Sequence, residues 1–175
     1  MGLTRRKLIT SSALSGAIVG IAGCLSQGSE VTNLGGGNQS LRINFAGNVS
    51  TDKPLIKETD LSSDSAYPNY YSALLGSERA ADKIQMEYVR QEIPQFVDEL
   101  EETDFDSEYL VFFGMVLPRS KQLQSGLTTF KNGTLYSEYH IAKRSSDSSE
   151  VSINTNIQRI KARNLPNNVE YEVRF

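Results

Sequence analysis

Six carboxylates crowd into residues 99–108 of this chain: Glu99, Glu101, Glu102, Asp104, Asp106 and Glu108. The Asp104-x-Asp106-x-Glu108 spacing offers oxygens in the manner of a Ca²⁺ loop. It lacks the central glycine and the distal glutamate of a complete loop. A pair of these acids would also serve glycoside hydrolysis, but acids in one short segment read equally as solubilising charge between a helix end and a buried strand. No metal site is expected; Asp104, Asp106 and Glu108 are the candidates for one. His140 is the sole histidine, so a Ser-His-acid triad would have to use it. No Gly-x-Ser-x-Gly elbow precedes a helix, and one histidine cannot build a multi-histidine zinc site. A solvent-facing strand position is its expected role. Arg159, Lys161 and Arg163 alternate along a strand, where pairing with acids across the sheet is the expected use. Tyr67, Tyr70 and Tyr71 cluster in Ala66-Tyr-Pro-Asn-Tyr-Tyr-Ser. Tyrosine combines stacking with hydrogen bonding at low entropic cost, so these three are candidate contacts for a glycan or a protein, against a role in a minor core. Asn38, Asn48 and Asn132 head Asn-x-Ser/Thr triplets and are N-glycosylation candidates.

The other reactive residue is Cys24, the only cysteine. It follows Ile21-Ala22-Gly23, and before that lies an uncharged stretch from Leu8 rich in Ser, Gly and Ala. A membrane-spanning helix needs about 20 predominantly apolar residues, and this stretch is shorter and too polar. Thr4-Arg5-Arg6-Lys7-Leu8-Ile9 resembles the core of a twin-arginine export signal, with Arg5 and Arg6 as its export residues. Ile21-Ala22-Gly23-Cys24 resembles a lipobox, which implies a diacylglyceryl group on Cys24 and a new N-terminus there. Two acyl chains anchor stably where one is marginal, each buried methylene contributing about 0.8 kcal/mol. With no second cysteine there is no intramolecular disulfide. One histidine and one cysteine also leave little to hold a metal or an iron–sulfur group, and no cofactor is expected.

The expected organisation is therefore a signal peptide at 1–23, a lipidated flexible tether at 24–40 centred on Gly35-Gly36-Gly37, and a single β-rich domain at 41–175. Leu41, Ile43 and Phe45 alternate with polar neighbours as in a half-buried strand. Residues 48–70 read as loop. Tyr109–Leu117 is a continuous apolar run that fits a central strand covered on both faces. Asn132-Gly133 between two β-forming segments predicts a tight hairpin, with Leu135, Tyr139 and Ile141 on one face and Tyr136, Glu138 and His140 on the other. Val151–Ile160 alternates irregularly, and Val169, Tyr171, Val173 and Phe175 alternate cleanly. Ile84, Tyr88, Val89, Ile93, Phe96, Val97 and Leu100 recur at helical spacing, with Ser77 as a cap and Pro94 kinking or splitting the helix. The predicted fold is mainly β, with α+β as the variant: a small antiparallel β-sandwich or curled sheet with one kinked or split helix packed on it.

The signal, together with Glu102-Thr-Asp-Phe-Asp-Ser-Glu-Tyr-Leu-Val-Phe-Phe and the hairpin after it, resembles uncharacterised haloarchaeal surface lipoproteins exported by the twin-arginine route. The likeness implies a home on the outer face of the cytoplasmic membrane, with the export machinery and the membrane as partners. It brings no catalytic residues. Of the 18 basic residues, three lie in the signal, against 21 acidic ones, so the rest of the chain is more acidic than the formal −3 and nucleic-acid binding is not expected. The expected function is non-enzymatic binding of a protein, glycan or envelope component; the alternative is an extracytoplasmic hydrolase working with carboxylates only.

Overall fold

The computed structural model describes residues 29–31, 41–59, 61, 69–144 and 149–175. Among them are eight strands: β1 (Ser29–Val31), β2 (Leu41–Thr51), β3 (Tyr70–Leu75), β4 (Glu108–Pro118), β5 (Lys121–Lys131), β6 (Thr134–Lys143), β7 (Val151–Ala162) and β8 (Asn168–Arg174). They form a five-stranded sheet in the order β1-β2-β7-β4-β3 and a three-stranded sheet in the order β5-β6-β8. The fold is mainly β and sandwich-like.

β4 lies deepest. Its apolar run is buried almost end to end, because both faces are covered. Leu110, Phe112 and Val116 join the core beneath the helices. Tyr109 and Val111, and farther along Phe113, Met115 and Leu117, pack against the small sheet. One glycine interrupts the run for a reason of space. At Gly114 the Tyr71 ring lies so close that a Cβ would stand 2.6 Å from its Cζ. The hairpin follows the Asn-Gly signal: Phe130 pairs with Leu135 and Lys131 with Thr134. Asn132 and Gly133 take φ of 52° and 77°, the left-handed conformations a two-residue hairpin turn demands.

Three expectations need correction. The sheets are not wholly antiparallel, since β6 and β8 run parallel. Parallel neighbours cannot be joined by a tight turn; here β7, lying in the other sheet, is the return path. Residues 48–70 are not all loop: β2 continues to Thr51, burying Val49 and Thr51, and Tyr70 already opens β3. The segment 24–40 is not all tether, because Ser29–Val31 pairs with Leu41–Ile43. The helix is split at Pro94 as expected, and broken once more before it: α1 (Glu78–Ala81), α2 (Met86–Glu92), a 3₁₀ turn at Pro94–Phe96 and α3 (Val97–Glu101).

Each break between these helical pieces has a local cause. Ser77 caps α1, accepting from the Ala80 N–H at 3.2 Å. The chain then leaves the helical path so that Ile84 can bridge to Ile56, with Gln85 N–H donating to the Leu55 carbonyl at 2.8 Å. Pro94 forces its predecessor out of helical geometry, and Ile93 has φ −140°. The apolar stripe survives these breaks. Ile84, Val89, Ile93, Phe96 and Leu100 are all buried on the face of the large sheet away from the small one.

Candidate functional site

Two edge strands, β3 of the large sheet and β8 of the small one, lie on the same side of the sandwich. Between them an aromatic column reaches the surface. Phe113 of β4 is buried at its centre. Its ring stacks on Tyr139 at 4.5 Å and on Tyr171 at 4.7 Å, and lies 5.7 Å from Tyr70. Tyr139 is fully buried, Tyr171 is half-buried and Tyr70 is 47 % exposed. Burial pushes the Tyr171 hydroxyl up to about 12, opposed by a hydrogen bond with Ser72 of β3. That bond joins the two edges. Pre-stacked rings ending in an exposed tyrosine offer a platform for a sugar ring, a proline or an aromatic side chain.

The tyrosine cluster thus divides. Tyr70 is at the surface. Tyr71 is not available to a ligand, because strand alternation turns it inward to 7 % exposure. Its hydroxyl bonds Thr155 Oγ1 at 3.0 Å and accepts from the Leu55 N–H at 3.3 Å. Burial raises this hydroxyl to about 12, while both hydrogen bonds pull it down. Tyr67 lies outside the described residues, as do Arg5, Arg6, Cys24 and Asn38.

The acidic segment is put to structural use. Glu108 receives the Asn44 side-chain amide and the Asp104 N–H, the latter at 3.3 Å, and lies 3.5 Å from Arg159 Nε. The same guanidinium reaches Glu99 Oε2 at 3.0 Å and the Glu99 carbonyl at 2.9 Å. Arg159 thereby fastens the end of α3 to the start of β4. Asp104 accepts from Ser107 Oγ at 2.7 Å and from the Asp106 N–H at 3.2 Å, and these bonds hold its carboxyl below the usual range. So Asp104, Asp106 and Glu108 do not converge, and among the described residues no three His, Cys, Asp or Glu side chains are grouped to hold a metal. Asp104 and Asp106 line one wall of a polar cleft of about 630 Å³, opposite Ser77 and Arg79. Lys161 lies near Asp104, and Arg163 is exposed. His140 is half-exposed on β6, its strand partners being Gln124 and Arg174.

A second buried feature escaped the sequence reading. Ser152, Asn154, Asn156 and Gln158 of β7 point into the sandwich and are almost wholly buried. Gln158 Nε2 donates to Asn156 Oδ1 at 3.0 Å, and Asn156 Nδ2 donates to Asn48 Oδ1 at 2.9 Å. Thr128 of β5 donates to Gln158 Oε1 at 3.3 Å, tying the row to the opposite sheet. Ser152 and Ser50 meet at 2.7 Å. The polar–apolar alternation of Ser152 to Gln158 was the available signal; it reads as one face wet when both faces are covered. Of the two described sequons, Asn48 gives its carbonyl oxygen to this row, and Asn132 is exposed at the hairpin tip. No protein-family model, no curated protein and no solved structure matches this chain.

Proposed function

We propose that this chain is a membrane-anchored extracytoplasmic lipoprotein without enzymatic activity, of the haloarchaeal twin-arginine kind, whose β-sandwich binds a protein, glycan or envelope component. One observation carries the reading: Arg5-Arg6, an uncharged stretch, and then Ala22-Gly23 before the sole cysteine, Cys24, all ahead of the first strand. The lipid on Cys24 is the link to the membrane, and the Arg5-Arg6 pair addresses the export machinery. Binding falls to the aromatic column where Tyr70 surfaces beside Tyr171. No cofactor enters this reading.

The anchor is tested by fractionation and mass measurement of Cys24→Ser in the native host. The variant should be released or accumulate as unprocessed precursor; a processed species still held in the membrane would overturn the reading. Arg5→Lys with Arg6→Lys keeps the charge but removes the guanidinium forks, and should block export. The binding face is tested separately. The chain has no tryptophan, so tyrosine emission reports directly on stacking. Oligosaccharides or proline-rich peptides titrated against the protein should quench it, and Tyr70→Ala should abolish the response. Quenching that survives in Tyr70→Ala would place the contact elsewhere.

A further inference from the structure

Two Asn-x-Ser/Thr triplets lie among the described residues, and the fold treats them oppositely. Asn48-Val49-Ser50 sits inside β2, where Phe45 to Thr51 pair with β7 in unbroken register. Asn48 and Ser50 both show surface, but their side chains are engaged. Asn48 Oδ1 accepts from Asn156 Nδ2 at 2.9 Å, and the Ser50 and Ser152 hydroxyls meet at 2.7 Å. Between them Val49 is buried. Offering this triplet to an enzyme means peeling β2 from β7 and uncovering Val49 and Thr51, an opening of the core rather than of a loop. Asn132-Gly133-Thr134 is the tip of the β5–β6 hairpin. Asn132 is exposed and Thr134 half-exposed. Among the described residues, neither the Asn132 amide nor the Thr134 hydroxyl is held by a hydrogen bond. Presenting this triplet loosens only the Lys131–Thr134 pair and the bond from Asn167 N–H to the Gly133 carbonyl, while Phe130 and Leu135 stay paired behind it. Loop tips open at little cost.

A chain carried out already folded, as the twin-arginine resemblance implies, meets a glycosylating enzyme as a fold and not as a nascent chain. The cost of opening each triplet then decides which one is modified. We propose that the exported protein carries an N-linked glycan on Asn132 and none on Asn48. The donor is an oligosaccharide carried on a lipid phosphate. Asn132 Nδ2 forms a bond to the anomeric carbon of the first sugar. The anomeric carbon–oxygen bond breaks, its electron pair leaving with the lipid phosphate, and the amide gives up one proton; nothing is oxidised or reduced. Thr134 supplies the hydroxyl that the enzyme reads. Tyr139, in the aromatic column, is five steps along β6 from Thr134, about 17 Å, so the attachment point is clear of the Tyr70 platform. The inference rests on the export in the proposed function.

The experiment uses the full chain purified from the membranes of its native host, cleaved and weighed by mass spectrometry that keeps glycans attached. The peptide holding Asn132 should carry a series of sugar increments, and the peptide holding Asn48 should be bare. A bare Asn132, or an Asn48 modified to the same extent, overturns the proposal. Thr134→Ala should remove the increments although Asn132 remains, and Thr134→Ser should keep them; increments that persist in Thr134→Ala overturn it as well. Synthetic peptides of residues 44–54 and 128–138, incubated with the same membranes, should both be glycosylated, because neither is folded. A 44–54 peptide left bare beside a modified 128–138 would mean that the fold is not what spares Asn48. The N-terminal peptide of the same sample separates this inference from the reading beneath it. A diacylated Cys24 with a bare Asn132 sinks the glycan alone, whereas an unmodified Cys24 on protein retained in the cytoplasm sinks the lipoprotein reading and the glycan with it.

Discussion

Gly114→Ala should be among the most damaging single-methyl insertions in this protein. The new Cβ would stand 2.6 Å from Tyr71 Cζ and 2.7 Å from Cδ1, well inside contact distance. A flexible neighbour would swing aside, but the Tyr71 ring is held at its far end by Thr155 and Leu55. Moving it costs the strain of overpacking, about 1–3 kcal/mol, and loosens two hydrogen bonds worth about 0.5–1.5 kcal/mol each. Alanine regains a little from its better strand propensity over glycine. The sum is a loss of about 2–4 kcal/mol, a large part of the roughly 5–15 kcal/mol that holds a domain together. The assay is urea unfolding at fixed salt of wild type, Gly114→Ala, Tyr71→Leu and the double variant. Once the ring is gone the methyl has room, so the double variant should be more stable than additivity predicts by about 1 kcal/mol or more. A Gly114→Ala cost under about 0.5 kcal/mol, or strict additivity, would refute the close approach of Tyr71 to β4.

Gly133→Val should cost about 1–2 kcal/mol in thermal unfolding, because a β-branched residue resists positive φ and its Cβ would meet Asn167 Nδ2 at 2.9 Å; unchanged stability would refute the turn. Asn156→Leu should cost about 1–3 kcal/mol by urea titration, since it strands the buried Gln158 amide that now donates to Asn156 Oδ1; a neutral result would mean that water or a rearranged Thr128 serves Gln158. Stability should fall as pH rises from about 10 to about 12. Tyr71 and Tyr171 ionise near 10 when unfolded but only at about 12 in the fold, so the unfolded state loses protons first. Tyr71→Phe should flatten that alkaline slope, and an identical slope would contradict the burial of its hydroxyl.

The elements that were legible in the sequence are those that state their environment locally. The β4 run is apolar throughout because both its faces are covered, and Asn132-Gly133 names its own turn. Ser77 and Pro94 mark helix boundaries by capping and by the missing N–H. What stayed hidden depended on partners distant in sequence. The Ser29–Val31 strand is too short to carry a pattern and exists only through its pairing with Leu41–Ile43. The parallel β6–β8 pair follows from which sheet β7 joins, which no local signal reports. Tyr70 and Tyr71 are chemically identical in sequence, and strand alternation alone sends one outward and the other into the core. Phe113, the centre of the candidate site, was visible only as one more apolar residue of β4.

The two strands at the middle of the large sheet divide the sandwich interior between them. β4 turns Phe113 toward the small sheet, and β7 turns Asn156 the same way at the position directly opposite it. Amides are exacting: each needs a partner at the right distance and angle, so the β7 row locks β2, β7 and β5 into one register. Stacked rings are tolerant, since offset and tilted arrangements differ little in energy. The β3–β8 side is therefore held by ring contacts and one hydrogen bond, Tyr171 to Ser72, whereas the opposite side is held by a row of buried amides. The exposed ring of Tyr70 is thus mounted on a frame of buried hydrogen bonds that fixes the register beneath it.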